Sequence, residues 1–162
     1  MKRNIFLVII MTLVVTGFSC TQARAKVDKT QKPAAKSAVT AGQEGTVMKI
    51  SQDQFAKRVF DYKAGAFKFL GSRPAIVDFN ADWCGPCRRL APTIDSLAVQ
   101  YAGKIDFYSV NIDENRPLAN ALGIQSIPML LFIPLEGRPQ ASVGLLPRED
   151  IEQAIREVLL VQ

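Results

Sequence analysis

The stretch AIVDF, residues 75–79, constrains the fold of this chain more than any other part of the sequence. It is apolar except for Asp78, and such a run is typical of a parallel strand that is buried on both faces. Parallel strands are joined by crossover connections, which are usually helices that cover the faces of the sheet. The stretch therefore predicts an α/β fold with a carboxyl group inside a buried strand.

The patterns around this strand predict the element order β-α-β-α-β-α-β-β-α within residues 45–162. Further strands are expected at residues 46–50, 105–112, 129–133 and 140–144. Helices are expected after the capping box of Ser51 and Gln54, from the cysteines to Tyr101, at residues 117–122 and after Pro147. This order predicts a mixed sheet, with a parallel part, an antiparallel hairpin and helices on both faces.

The helix that follows the cysteines carries an apolar face at helical spacing. Pro92 falls inside this pattern and is expected to kink the helix. The predicted apolar face consists of Cys87, Leu90, Ala91, Ile94, Leu97, Ala98 and Tyr101.

The first 25 residues predict an export signal. Lys2 and Arg3 precede an apolar run at residues 5–15, which is shorter than the roughly 20 residues that span a bilayer but suits a signal peptide. Cleavage is expected before Cys20 or after Ala25. The first site, GFSC, is similar to a bacterial lipoprotein box and would leave Cys20 lipidated. It is favoured because Cys20 directly follows the apolar run, although Gly17 replaces the usual Leu.

Residues 26–44 lack large apolar side chains apart from two valines, and they predict a flexible linker before a folded domain at residues 45–162. Cleavage after Ala25 would remove three basic and no acidic residues, which lowers the formal net charge from +5 to +2. The domain has no basic cluster with interleaved aromatic residues. We therefore expect no nucleic-acid binding, and membrane contact only through a lipid anchor.

Cys84 and Cys87 in the motif CGPC admit three interpretations. A structural zinc site needs four ligands, but the chain has no His and its third cysteine, Cys20, lies in the signal segment. Only a zinc ion shared between two copies stays open, and we expect no metal or cofactor within one chain. A purely structural disulfide would close a very short loop and stabilise the fold little.

The third interpretation, a redox centre, fits the surroundings of the pair. Cys84 is expected at a helix N-terminus, where free backbone N–H groups and the helix dipole favour the nucleophilic thiolate. Cys87 lies one turn later and can attack a mixed disulfide. Arg88 and Arg89 either lower the thiol pKa values or are simply solvated.

Asp78 is the second chemical signal, because burying an ionised carboxylate is costly. A buried carboxyl with a raised pKa, beneath the cysteine pair, could take and return a proton as Cys87 is activated. The alternative is that Asp78 lies at a solvated strand end.

The segments AIVDFNADWCGPCRRLAP and GIQSIPM resemble the thioredoxin family, and the resemblance covers about residues 45–162. A longer loop before residue 75 and the FIP.EG.P hairpin are similar to exported thioredoxins of the Bacteroides group. The resemblance implies a thioredoxin fold, with a central mixed sheet flanked by four helices. It implies Cys84 as the attacking thiol and Cys87 as the resolving thiol, joined by a disulfide in the oxidised state.

Other positions also match this family. Asp78 matches its buried acid and Pro92 its helix-kink proline. Pro128 matches a cis-proline beside the cysteines, where the residues alone would indicate a loop proline. Trp83 is implied beside the active site, with a core aromatic as the alternative. The resemblance assigns the active-site turn to Trp83, Gly85 and Pro86, and substrate binding to Trp83, Ile127, Pro128 and Gly144.

Three positions depart from the family pattern. Asn80 stands where many members carry an aromatic residue, and Met129 replaces the common Thr after the cis-proline. Ser109 stands where many members have a lysine near the buried acid. Loss of that positive charge is expected to raise the pKa of Asp78 further.

Together these features predict an exported, monomeric thiol-disulfide oxidoreductase that reduces disulfides in exported proteins without a bound cofactor. Outside the cytoplasm it would need a membrane electron donor. The alternatives are an oxidant that introduces disulfides, an isomerase, and a peptide-binding chaperone without redox turnover. The short segment from Tyr101 to Ile105 leaves no room for the large insertion usual in thiol reductases of cytochrome maturation.

Overall fold

The computed structural model of this protein describes residues 44–64 and 67–162. The predicted signal sequence with Cys20, nearly all of the predicted linker, and residues 65 and 66 in the loop before the central strand lie outside these ranges. Within them, no helix combines the length and the apolar character needed to cross a membrane.

The described elements follow the predicted order. The strands are β1 (Val47–Lys49), β2 (Ala75–Asn80), β3 (Asp106–Asn111), β4 (Met129–Ile133) and β5 (Gln140–Val143). The helices are α1 (Gln52–Arg58), α2 (Gly85–Gln100), α3 (Arg116–Ala121) and α4 (Arg148–Val158).

The strands form one mixed sheet in the order β1-β3-β2-β4-β5. β1, β3 and β2 are parallel, whereas β4 runs antiparallel to both β2 and β5. β2 lies in the middle, and Ala75 to Phe79 are all buried, as the AIVDF run predicts. Its Asp78 is opposite Ser109 on β3 and Leu130 on β4.

The alternation of side chains along β2 divides the core into two layers. Ile76 belongs to the layer that contains the buried side chains of α2 and α4, such as Leu90 and Ile151. Phe79 belongs to the other layer, which contains Phe55 of α1 and Leu118 of α3.

Two polar side chains of β2 share the face of Ile76. Asp78 and Asn80 follow Ile76 at intervals of two residues, so both side chains project toward the α2 side of the sheet. The sheet therefore places a carboxyl and an amide under the helix that begins at the cysteines.

The start of α1 agrees with the local sequence signal. Ser51 and Gln54 form the predicted capping box, with Gln54 N–H donating to Ser51 Oγ and Ser51 N–H donating to Gln54 Oε1. α2 contains Pro92.

The predicted apolar face of α2 is wrong at one position. Ala91 is exposed, whereas Leu90 and Leu97 are buried. At about 100° per residue, Ala91 lies at the margin of the stripe centred on those two leucines.

Candidate active site

The cysteine pair lies where β2 leads into α2. α2 begins at Gly85, and Cys84 is its N-cap residue. Cys84 and Cys87 form a disulfide with a Cα–Cα distance of 5.3 Å. The Cys87 N–H donates to Cys84 Sγ at 3.2 Å, so a backbone donor of the first helical turn already faces the sulfur. A Cys84 thiolate in the reduced protein would gain from this donor and from the helix dipole.

The cysteines are shielded from solvent, with exposed fractions of 3% for Cys84 and 5% for Cys87. They cluster with Ala81, and the half-buried side chains of Ile112 and Ile127 pack against them. Apolar side chains therefore pack against the cysteine pair.

The side chain of Arg88 is fixed on the turn that carries the cysteines. Arg88 and Arg89 are both exposed. Arg88 Nη1 donates to the backbone oxygen of Asp82 at 2.8 Å. Asp82 is held in turn by Asn111 at the end of β3, whose Nδ2 donates to Asp82 Oδ1 at 3.3 Å. Arg88 therefore supports the turn that precedes Cys84.

Trp83 is a surface residue and not a core aromatic, since 66% of it is exposed. Its indole Nε1 donates to Asp113 Oδ2 at 2.7 Å. Asp113 lies beyond the end of β3, and its Oδ1 is 3.9 Å from Arg116 Nη2. Asp113 was not predictable from the sequence, because only the pairing of β3 with β2 brings it to the Trp83 side chain.

The loop before β4 forms another side of the site. The Ile127–Pro128 peptide bond is cis, and Ile127 packs against the cysteines. Gly144, just after β5, donates its N–H to Pro128 O at 2.8 Å and has φ +104°. That φ favours glycine, whereas a Cβ there would meet nothing within 4 Å, so conformation rather than space requires glycine at this position.

Asp78 is buried beside the pair and is not a solvated strand end, since only 5% of it is exposed. Its Oδ2 accepts a hydrogen bond from Asn80 Nδ2 at 3.0 Å, while Oδ1 is buried with no hydrogen-bond partner among the described residues. Asp78 and Cys87 line one cavity of about 370 Å³. Burial raises the pKa of Asp78 to about 6, against the hydrogen bond from Asn80, which lowers it, and with a smaller upward contribution from the charge of Asp95.

Asn80 on β2 and Ser109 on β3, which both depart from the family pattern, lie beside this carboxyl. Asn80 Nδ2 also donates to Ser109 Oγ at 2.8 Å, so an amide and a hydroxyl lie beside the acid. The upward direction of the pKa of Asp78 agrees with the expectation, and its largest cause is burial. The sequence marks Asn80 only as an unusual residue, and its hydrogen bond to Asp78 is evident only in the fold.

The arrangement thus brings together a sulfur pair at a helix N-terminus, a buried carboxyl and an exposed aromatic side chain. The pair can exchange two electrons by thiol–disulfide exchange. The carboxyl, with a pKa close to neutral pH, can accept and return a proton.

The folded part of the chain is similar to known proteins over nearly its whole length. A family model described as Thioredoxin matches residues 46–157. The thioredoxin of Borreliella burgdorferi is 43% identical over an alignment that covers 67% of this chain and 93% of that protein. The chloroplastic M-type thioredoxin of Pisum sativum is also 43% identical, but the alignment covers 56% of this chain and 53% of that protein. Among solved structures, a chloroplastic thioredoxin z is similar with a TM-score of 0.61 and 29% identity, covering 72% of this chain and 96% of that one.

The buried carboxyl predicts a pH-dependent stability. The pKa of Asp78 is about 6 in the folded protein, above the usual value near 4 in an unfolded chain, so the folded state binds this proton more tightly. Stability is therefore lost as the pH rises from about 4 through 6, and the loss persists above that range. Asp78→Asn should raise the unfolding free energy of the oxidised protein at pH 8 by about 2.5 kcal/mol more than at pH 4.

Urea unfolding at the two pH values measures this difference. Glu136→Gln, in the exposed turn between β4 and β5, removes a charge of the same sign and serves as the control. Equal effects of Asp78→Asn at pH 4 and pH 8 would show that burial does not raise the pKa of Asp78.

Proposed function

Since the chain belongs to the thioredoxin family, we propose that this protein-disulfide oxidoreductase is an exported reductase that works through Cys84, Gly85, Pro86 and Cys87. The observation that carries the proposal is the position of the sulfur pair. Cys84 caps α2, Cys87 follows one turn later, and Asp78 lines the same cavity as Cys87.

The reaction begins when the Cys84 thiolate attacks one sulfur of a substrate disulfide. The substrate S–S bond breaks, and its second sulfur leaves as a thiolate that takes up a proton. The product is a mixed disulfide between Cys84 and the substrate. Backbone N–H groups at the start of α2 stabilise the attacking thiolate, and Cys87 N–H faces Cys84 Sγ.

In the second step Cys87 loses its proton to Asp78, directly or through water, and its thiolate attacks Cys84 Sγ. The bond from Cys84 to the substrate breaks, and the substrate sulfur leaves with the electron pair and is protonated. The substrate has gained two electrons, and Cys84 and Cys87 are joined as a disulfide. An electron donor must then reduce the pair before the next turnover.

The substrate chain is proposed to lie across Trp83, Ile127, Pro128 and Gly144. Trp83 gives an exposed aromatic surface next to Cys84, and Ile127 contacts the cysteines. The Gly144–Pro128 hydrogen bond joins the loop before β4 to the end of β5, which makes this edge of the surface rigid. Such an apolar surface suits an unfolded or extended segment around an accessible disulfide.

The proposed location is outside the cytoplasm. Lys2, Arg3 and the apolar run at residues 5–15 support an export signal, with cleavage before Cys20 or after Ala25. Disulfides form in such compartments, so a reductant there needs a dedicated supply of electrons, and we propose a membrane donor. The longer loop before residue 75 and the hairpin at residues 132–139, which we expect of exported thioredoxins of the Bacteroides group, favour the same location.

Three alternative functions would use the same site. An oxidant or isomerase would use the same chemistry at a higher reduction potential, and a chaperone would use the apolar surface alone. The Gly-Pro pair between the cysteines favours the reductase by analogy with the family.

Replacing each cysteine separately tests the chemistry. With Cys84→Ser, dithiothreitol should reduce a disulfide-containing protein only at the uncatalysed rate, because the attacking sulfur is gone. Cys87→Ser should accumulate the mixed disulfide, which non-reducing gels and mass spectrometry detect. The double variant is the control for binding without chemistry, and full activity of that variant in cells would favour a chaperone.

The reduction potential of the pair tests the direction. Equilibration of residues 45–162 with thiol buffers, followed by Trp83 fluorescence, should give a reduction potential of about −270 mV for a reductant. A potential of about −120 mV would mean an oxidant instead.

The mature N-terminus tests the location. Mass spectrometry of the protein from its native cells should show a lipidated N-terminus at Cys20, or an N-terminus at Lys26 if the second site is used. An intact Met1 in the mature protein would contradict export.

A further inference from the structure

Three polar side chains form a cluster on the α2 side of the sheet. Asp78 and Asn80 are two residues apart on β2 and share one face, and Ser109 is the register partner of Asp78 on β3. Asn80 Nδ2 donates to Ser109 Oγ at 2.8 Å, to Asp78 Oδ2 at 3.0 Å and to the backbone oxygen of Asp78 at 3.2 Å. We call this the Asp78–Asn80–Ser109 cluster. It fixes the Asn80 amide, because both of its N–H groups have acceptors.

The cluster makes the two oxygens of the Asp78 carboxyl different. Oδ2 is occupied as an acceptor by the Asn80 amide, whereas Oδ1 is buried and has no partner among the described residues. When the carboxyl is protonated, it has one O–H donor, and the oxygen that accepts no N–H is the better place for that proton. Asn80 therefore directs the exchangeable proton to Oδ1.

The cavity around Asp78 gives this proton a route. Its volume is about 370 Å³, and its lining includes Asp78, Asn80, Ser109 and Cys87. A neighbouring cavity of about 460 Å³ shares Asn80 and Ser109 as lining residues. A water molecule occupies about 30 Å³ in the liquid, so the first cavity is large enough to hold water, and its polar lining side chains supply hydrogen-bond partners for it.

The groups that face the carboxyl come from several elements. Asn80 provides its side-chain hydrogen bond, and this bond favours the ionised form. The strand on the other side of β2 presents apolar Leu130. The charged residues that line the same cavity are Lys49 on β1, Asp82 in the turn, and Arg88 and Asp95 on α2.

We propose that Asn80 is a positioning residue for the resolving step, which holds Asp78 with Oδ1 free to receive the proton of Cys87. The inference rests on the proposed function, because it concerns the second half of that reaction. The Cys87 S–H bond breaks and its proton goes to Oδ1, directly or through water. The Cys87 thiolate then attacks Cys84 Sγ, and the substrate sulfur leaves with the electron pair and takes a proton from solvent.

The experiment compares Asn80→Leu with Asn80→Gln in the full chain. Leu has a similar size but removes the donor, whereas Gln keeps an amide donor and has space in the adjoining cavities. Ser109→Ala, which leaves the bond from Asn80 to Asp78 in place, is the matched control. Rapid-mixing experiments would follow the two steps separately, with formation of the mixed disulfide measured in the Cys87→Ser background.

Asn80→Leu should move the acid limb of the pH profile for resolution upward by about one pH unit, since a hydrogen bond to the charged form is lost. Resolution at pH 5.5 should slow by about five- to tenfold, and the rates should converge near pH 9. Asn80→Gln and Ser109→Ala should shift the limb less. In an Asp78→Asn background, Asn80→Leu should cause no further change.

The titration of the Asp78 carboxyl can be followed directly by infrared spectroscopy or carbon NMR. Asn80→Leu should raise the midpoint of this titration, whereas a purely structural role of Asn80 would leave the midpoint unchanged. Equal shifts for Asn80→Leu and Asn80→Gln, or an unchanged pH profile with an intact first step, would overturn the inference. If Cys84 of the protein with Asn80 intact formed no mixed disulfide with the substrate, the proposed function itself would be overturned.

Discussion

The pairing of β2 on both edges is the constraint on which the rest of the structure depends. β3 bonds to it in parallel and β4 in antiparallel orientation, so its backbone groups are satisfied without solvent. Helical layers cover both of its faces, and Phe79 and Ile76 each lie in a different layer. Such a strand is rigid, and the turn that leaves it carries Cys84 in a defined position.

The same burial explains the chemistry at the end of the strand. The Asp78 carboxyl is largely removed from bulk water, so its ionised form is disfavoured and its proton affinity rises. The Asn80 amide, a neutral dipole, partly offsets this cost by donating to Oδ2. Oδ1 has no hydrogen-bond partner among the described residues, and the carboxyl lines one cavity with Cys87. The fold thus places an unfavourable group where a reversible proton acceptor is useful.

Much of the fold was predictable because its signals are local. The apolar run of β2, the Ser51 capping box and the cysteines before an amphipathic helix each report on nearby residues, and the predicted order of elements is confirmed. Ala91 was wrongly predicted to be buried, because the edge of a helical stripe depends on the shape of the neighbouring surface.

The site was predictable only in part, since its contacts depend on strand register. The bond from Asn80 to Ser109 joins two strands, and the Trp83–Asp113 bond depends on where β3 ends. A family resemblance identified the positions, but the hydrogen bonds of this chain's own substitutions required the folded geometry.

The neutral partners of Asp78 also affect how the site responds to its surroundings. Dissolved ions screen interactions between exposed charges, but they act more weakly on a part-buried hydrogen bond between an amide and a carboxyl. The hydrogen bond that tunes this acid is part-buried, and Ser109 holds the Asn80 amide in place. Its contribution to proton affinity is therefore less sensitive to ionic strength than the attraction between two exposed opposite charges would be.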